Sequence, residues 1–403
     1  MNEKIRAARE IALSILKPSE KELERGLELH SSSLVFDAYG FSPRVPINGD
    51  ILRETAESGA SNWELKDLHE EMIMTGHLRD ANARKECEEA WQEAGVTCIF
   101  QNAGEECSSP LQMLKRFARF THCADMHRAF LSRASLPEDI LKAKADGRHC
   151  IYMTTNGIPL AQEWHSVEEE LGFIRLFFQL GCRMMHMTYN RRNMLGDGCM
   201  EASNAGLSDF GRAAVKELNR LGIICDLAHS GWRTSLEAAR ISSRPVVSSH
   251  SGCNALSQHP RNKPDEVIKA IADSGGYNGI CCISDFLGGS KDISSFLDHI
   301  DYMIKHFGAD HVAIGTDKAY SSPRAEGEWA KLGNSYPKSR RIFESFWPPG
   351  SLPDSDHPSL AWTNWPLFTV GLVQRGYSDD DIKKVIGGNV LRVARAALEG
   401  IVI

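Results

Sequence analysis

The chain of 403 residues predicts an α/β fold, a (β/α)8 TIM-type barrel, on three observations. Short apolar runs recur along the sequence. Each is followed by a stretch long enough for a helix. The runs are apolar throughout, without alternation. Continuous apolar runs belong to parallel strands buried on both faces. Strand–helix alternation repeated eight times points to a closed barrel. A doubly wound sheet is the alternative, but no Gly-x-Gly-x-x-Gly turn follows the first run.

Residues 1–33 precede the first run. Residues 1–16 (MNEKIRAAREIALSIL) mix charge and apolar side chains at helical spacing and lack the continuous apolar core of a signal peptide. They read as a surface helix packed on the barrel, and so as part of a cytoplasmic protein. A single barrel domain then spans 34–403. Its strands are expected within 34–41 (LVFDAYGF), 95–102 (GVTCIFQN), 149–155 (HCIYMTT) and 182–189 (CRMMHMTY). Four more follow at 222–229 (GIICDLAH), 245–251 (PVVSSHS), 276–283 (GYNGICCI) and 311–317 (HVAIGTD).

Between the runs lie helical signatures. Residues 208–221 open on a Ser cap and an Asp, carry Phe210, Ala214, Leu218 and Leu221 on one stripe, and stop at Gly222. Residues 166–180 open on Ser and acids; 264–273 have Pro in the first turn. Two regions break the repeat, at about 42–84 and 319–358. Both would sit on the C-terminal face of the barrel, where active sites are built, and are lid candidates. In the second, Trp329, Tyr336, Phe343, Phe346 and Trp347 argue against disorder.

Composition narrows the partners. Net charge is -7, so no basic field points to nucleic acid. No run approaches about 18 apolar residues, so no membrane span is expected. The 11 cysteines are scattered, several sit inside apolar runs, and none has Cys-x-x-Cys spacing, which argues against a dithiol centre or zinc knuckle. A small-molecule substrate is the expected partner.

In a barrel, chemistry is expected at strand C-termini. The first run offers Asp37, Tyr39 and Phe41. After the third come Asn156, then Gln162, Glu163 and His165. The fourth offers His186, Tyr189, Asn190, Arg191 and Arg192. The fifth ends in Asp226-Leu-Ala-His229, the sixth in Ser248-Ser-His250, the eighth in Gly315-Thr-Asp317. His229 and His250 end successive runs, so their imidazoles can converge as half of a metal site. The alternative is two hydrogen-bonded structural histidines.

The second half of the chain resembles the renal or membrane dipeptidases, peptidase family M19. The resemblance lies in Gly206-Leu-Ser-Asp-Phe-Gly-Arg212, Lys216-Glu-Leu-Asn-Arg-Leu-Gly222, Asp226-Leu-Ala-His229, Pro245-Val-Val-Ser-Ser-His250-Ser, Pro260-Arg-Asn262 and Gly387-Gly-Asn389-Val-Leu-Arg-Val393. It implies a barrel of the metal-dependent hydrolase type, a two-zinc centre, hydrolysis of dipeptides and a homodimer. His229 and His250 then match the ligands of one zinc. Arg261 matches the arginine that holds the dipeptide carboxylate.

The departures sit at the site itself. Where the family's first strand reads Asp-Gly-His-x-Asp, this chain has Asp37-Ala-Tyr39-Gly-Phe41, and Phe cannot ligate a metal. The family's bridging Glu falls on Asn156 by strand geometry or on Gln162 by downstream matching, with Glu163 one residue on. An amide carries no charge to offset two cations. A family His after the fourth run is Tyr189 here, and the second Asp of Gly-x-Asp-x-Asp is Ala319, leaving Asp317. The two-zinc centre is therefore not expected. At most one zinc or other divalent metal should bind, on His229 and His250 with Asp37 or Glu163. Tyr39, Tyr189 and Asp317 are the expected catalytic groups; Arg261, Asn262 and Arg191 are the expected substrate contacts. The function that follows is a hydrolase-like enzyme on a small carboxylate-bearing amide or dipeptide. The alternatives are a metal-independent lyase or isomerase on a small carboxylate, or an inactive binding homologue.

Overall fold

Nine strands carry the architecture: β1 Phe36–Gly40, β2 Cys98–Asn102, β3 Leu131–Ala134, β4 His149–Thr155, β5 Cys182–His186, β6 Ile224–Asp226, β7 Val246–Ser251, β8 Asn278–Ile280 and β9 Val312–Ile314. This is a computed structural model, and it describes residues 1–104, 109–163, 165–333, 347, 348, 353 and 356–401. The parallel ladder runs β1-β2-β4-β5-β6-β7-β8-β9, and these are the eight apolar runs of the sequence. β3 is additional. It pairs with His149–Tyr152 of β4, while β5 pairs from Met153 onward, so β4 serves two partners in succession. Its sequence, Leu-Ser-Arg-Ala, is short and half polar, which hides it from a search for apolar runs.

The barrel closes at the β9–β1 seam just past the strand ends. Asp317 N–H donates to Tyr39 O at 2.9 Å, and Phe41 N–H to Lys318 O at 3.1 Å. The Asp37 carboxylate ties the seam below them. It accepts from Thr316 N (2.9 Å), Thr316 Oγ1 (2.6 Å) and Trp362 Nε1 (3.1 Å).

Phe36, Phe100, Tyr152, Met184, Ile224, Val247 and Ala313 pack together inside the barrel. Phe36 stacks on Phe100 with centroids 5.1 Å apart. The helix Asn389–Leu398 plugs the N-terminal end, adding Val390, Leu391, Val393 and Ala394 to that cluster. Asn389 Nδ2 donates to Ala309 O and Val312 O at 2.7 and 2.8 Å, which anchors the plug beneath β9. Gly387 permits the approach, since a Cβ there would stand 2.4 Å from Leu34 O.

Outside the ring, Glu3–Leu16 and Glu20–Ser32 form two N-terminal helices, the second opened by a Ser19–Glu22 capping box. That helix packs on Trp365–Gln374, an almost wholly buried apolar helix, and a Cβ at Gly26 would meet Val370 Cγ2 at 2.6 Å. The region 42–84 folds as helices Gly49–Glu57 and Asn62–Thr75 with a short turn Gly76–Leu78. It is moored to the helix Pro110–Met126, where Arg119 reaches Asp67 (2.7 Å), Glu71 (2.9 Å) and Glu70 (3.2 Å). Of the second lid candidate, Trp329 and Trp347 are described, whereas Tyr336, Phe343 and Phe346 lie outside the described residues. Among the described residues no helix is long and apolar enough to cross a membrane.

Candidate functional site

Three histidines from neighbouring strand ends converge above the barrel core. His186 is the last residue of β5, His250 lies in β7, and His229 stands three residues past β6. All are buried, and a donor atom of each lies within 4.8 Å of the other two. His229 Nε2 and His250 Nε2 are 3.0 Å apart.

The outer nitrogens are tied. His186 Nδ1 donates to Thr155 O at 2.8 Å, because a carbonyl can only accept. His229 Nδ1 donates to Asn190 Oδ1 at 2.7 Å, and His250 Nδ1 bonds Ser249 Oγ at 2.8 Å. Burial, with Arg261 next in weight, pushes His229 and His250 well below the ordinary imidazole range, so both stay neutral. Neutral imidazoles held by their outer nitrogens are the form a divalent metal takes up, so the donor set fits one.

Two tyrosines sandwich the cluster. Tyr39 stacks on His250 with centroids 3.8 Å apart and planes 12° from parallel, and its hydroxyl donates to Asn156 Oδ1. Tyr189 stacks on His229 at 4.1 Å. Tyr39 points inward because the β1–β2 register slips between Asp37 and Gly40. That bulge puts Ala38 and Tyr39 in the same interior cluster, while Asp37, before it, alternates with Phe36 and faces the seam.

Asp37 and Glu163 do not join the histidines as expected. Both Asp37 oxygens are engaged at the seam, and burial lifts its carboxyl to about 7 against those hydrogen bonds. Glu163 has a side chain 70% exposed, 3.6 Å from His165, and its backbone N–H is held by Glu170. Of the three residues considered for the bridging position, Asn156 is the one at the site. Gln162 instead takes a left-handed turn at φ 65.

Asp317 also has a left-handed backbone, φ 54, at the end of β9. Strain of this kind in a non-glycine residue gathers at functional positions. Burial raises its carboxyl to about 6, opposed by Arg261, Lys318 and His186. Arg261 is fully buried. Its guanidinium donates to Ala228 O (2.8 Å), His250 O (3.1 Å) and His229 Nε2 (3.1 Å), with Cζ 5.3 Å from the Phe286 ring. Asn262 serves the loop, donating to Ser257 O and Phe286 O. Arg191, two residues past Tyr189, is half-buried, while Arg192 clips Asp197 within its own loop.

Two groups were not singled out from sequence. Lys263, directly after the Pro-Arg-Asn motif, is fully buried and donates to Ser230 O at 2.8 Å; burial lowers its ammonium to about 7. Asp226 Oδ2 lies 2.9 Å from His186 Nε2. Burial pushes the Asp226 carboxyl up, but His186 and Ser249 hold it net below its ordinary value. Over the mouth, Trp347 packs on Phe286 at 6.2 Å, Lys318 pairs with Asp356, and His357 N–H donates to Ser284 Oγ at 2.9 Å.

Comparison with known proteins bears on the fold and the family. Dipeptidase verJ of Clonostachys rogersoniana is 31% identical over 232 residues, 57% of this chain and 52% of that protein. The chain thus spans about half the length of that curated relative. An amidohydrolase from Pseudomonas aeruginosa superposes with a TM-score of 0.67 at 27% identity, covering 92% of this chain and 98% of that one. The probable dipeptidase PvdM from the same organism shares the fold, with a TM-score of 0.65 at 19% identity over 94% of this chain and 98% of its own. The sequence pattern of membrane dipeptidase, peptidase family M19, matches residues 64–329, and the chain belongs to that metal-dependent family.

Proposed function

We propose that the protein is a hydrolase of the dipeptidase family, cytoplasmic and homodimeric, acting on a small carboxylate-bearing amide or dipeptide with a metal centre reduced to at most one ion. One observation carries the reading. The His229–His250 pair and the Arg261 guanidinium stand together, 3.0–3.1 Å apart, while Tyr39 and Asn156 bond to each other where a second ion's ligands would be needed. A divalent metal at the imidazoles supplies a polarised carbonyl and an acidic water.

The chain's own groups do the rest. Arg261 presents a planar fork to a carboxylate. Asp317, half-ionised near pH 6, takes up a proton at its carboxylate oxygen. Tyr39, pushed well above 10 by burial and the nearby Asp317 charge, stays protonated and donates. Tyr189 offers a second hydroxyl. Phe286, against the Arg261 guanidinium, and Trp347 beside it put an apolar cover next to the site. The ten cysteines among the described residues are all free thiols, which supports a reducing compartment.

A screen of L,L- and L,D-dipeptides with added zinc, cobalt or manganese tests the reading. Weak turnover of simple dipeptides is expected, with better turnover of some other carboxylate-bearing amide. Turnover of ordinary dipeptides at about 10 s⁻¹ or faster would mean a full centre is present. The stacking of Tyr39 and Tyr189 on the two imidazoles favours one other reading, a metal-independent lyase or isomerase. Activity that survives exhaustive chelation would select it.

A further inference from the structure

We propose that His186, His229 and His250 bind one divalent cation of the zinc type through their three Nε2 atoms, and that this three-imidazole site stands in place of the two-ion centre that the family resemblance implies. What the ion is used for rests on the hydrolase reading; that it binds does not. His186 is absent from the ligand set that the resemblance carries over, and it comes from β5, a strand to which that set assigns no ligand.

The Nδ1 bonds make the first argument. Thr155 O and Asn190 Oδ1 can only accept, so the facing Nδ1 atoms of His186 and His229 carry the hydrogens. In a neutral ring the opposite nitrogen, Nε2, then holds the lone pair that a metal takes. Ser249 Oγ holds His250 in the same orientation. Outer-nitrogen partners of this sort set the tautomer and ring angle of metal-ligating histidines.

A second argument starts from Asp226. His186 Nε2 and Asp226 Oδ2 are both buried and lie 2.9 Å apart, yet out of line for a hydrogen bond. Asp226 Oδ1 already accepts from Ala228 N and Ser249 N at 3.0 Å. Two atoms that each point a lone pair into one buried space repel, unless a cation lies there. That cation is either a proton on His186 or a metal shared with His229 and His250. The other two Nε2 atoms, 3.0 Å apart, and the gathering of all three rings within 4.8 Å favour the metal.

The donor chemistry sets the class. An all-imidazole set suits zinc and its neighbours and is poor for magnesium or calcium, which prefer oxygen. Donors 3.0 to 4.8 Å apart bracket the spacing of about 3.4 Å that four-coordinate zinc sets between nitrogens. A second ion has no comparable set among the described residues, since Asp37 is committed to the seam and Glu163 to the surface.

The test reads binding, not turnover. Full-length protein, freed of metal by chelation, is titrated with zinc in equilibrium dialysis and with cobalt by visible absorption. One equivalent is expected, with an intense cobalt band of low coordination number. His186→Gln should weaken binding by more than about 100-fold, the upper end of the cost of losing an outer partner. Asn190→Ala should weaken it by about 10–100-fold. His165→Ala, at the surface, should leave it unchanged. His186→Asn serves if the glutamine variant fails to fold, judged by near-UV circular dichroism. Zinc binding indifferent to either folded His186 variant, no retained ion at micromolar zinc, or two tight equivalents would each overturn the proposal. One tight equivalent lost in the His186 variants, with no amide hydrolysed, would keep the site and remove the hydrolase.

Discussion

Arg261 works on both sides of its guanidinium. Toward the barrel it caps the carbonyls of Ala228 and His250, so it pins the ends of β6 and β7. Toward the site it reaches His229 Nε2 at 3.1 Å. One lone pair cannot serve both a guanidinium N–H and a metal, so His229 Nε2 would have to give up its Arg261 bond to hold an ion, which would free that N–H for a substrate carboxylate. Arg261→Ala should raise KM several-fold to a hundred-fold and cost about 2–4 kcal/mol for two stranded carbonyls. Thermal melts and kinetics separate the two effects; an unchanged KM in folded protein would take Arg261 out of substrate contact. Asp197 is a purely structural counterpart. Arg192 and the backbone of Ala205 hold its carboxyl at about 2, so its stabilising charge is present above about pH 4 and lost as pH falls through 2. Asp197→Asn should destabilise by about 1–3 kcal/mol in urea at pH 7 and by almost nothing at pH 2. Much of the site was legible at this scale. Once runs are found, strand-end positions follow from counting, which is how His229, His250, Tyr39, Tyr189 and Asp317 are reached. Asp37 misleads because Phe36 takes the interior face of β1 and alternation turns Asp37 to the seam, where Thr316 and Trp362, far along the chain, hold it. Glu163 misleads because it lies beyond the strand, where no period constrains direction. His186 is visible as a strand end, but its fitness as a ligand depends on the Thr155 carbonyl, a contact between strands.

At the level of elements, the eight barrel strands are legible because burial on both faces forces unbroken apolar runs. β3 is missed because it covers only the lower half of one β4 edge and needs no such run. The helix Asn62–Thr75 carries a readable signal, the Ser61–Glu64 capping box, inside the region that breaks the repeat. The docking of Glu20–Ser32 turns on His30. Its Nε2 donates to Ala94 O at 2.9 Å and its Nδ1 accepts from Thr369 Oγ1 at 2.8 Å, so the neutral ring is fully satisfied. Burial lowers it to about 4. The unfolded chain takes up the proton first, near pH 6.5, so stability is full above that pH and declines as pH falls to 4. The loss is up to about 3 kcal/mol. His30→Gln should flatten that part of the profile in urea melts at pH 7.5, 5.5 and 4.5; equal slopes in both proteins would refute it. Gly95, at φ +63, ends the helix Ala81–Ala94 beneath this ring, and a Cβ there would stand 2.7 Å from His30 Nε2. Gly95→Ala should therefore cost more than the ~1 kcal/mol of a strained left-handed residue alone, read from the same melts.

For the whole molecule, the dimer inferred from family membership is checked by light scattering, where a sharp monomer mass at micromolar concentration would reject it. The seam has a consequence for how the protein is born. Thr316 and Asp37 are 279 residues apart, and the plug at Asn389–Leu398 comes later still. At about 5–20 residues per second, β1 waits roughly 15–60 s on the ribosome before β9 exists to pair with it. Through that interval the nascent chain carries an open half-barrel with two unsatisfied edges, the geometry most prone to pairing with a stranger. Ribosome-stalled chains that expose residues up to about 300 should be cut readily by protease and retained by a holdase chaperone, while chains that have released the plug resist cleavage. The three histidines, all translated by residue 250, would then meet as a site only after the last helix has emerged.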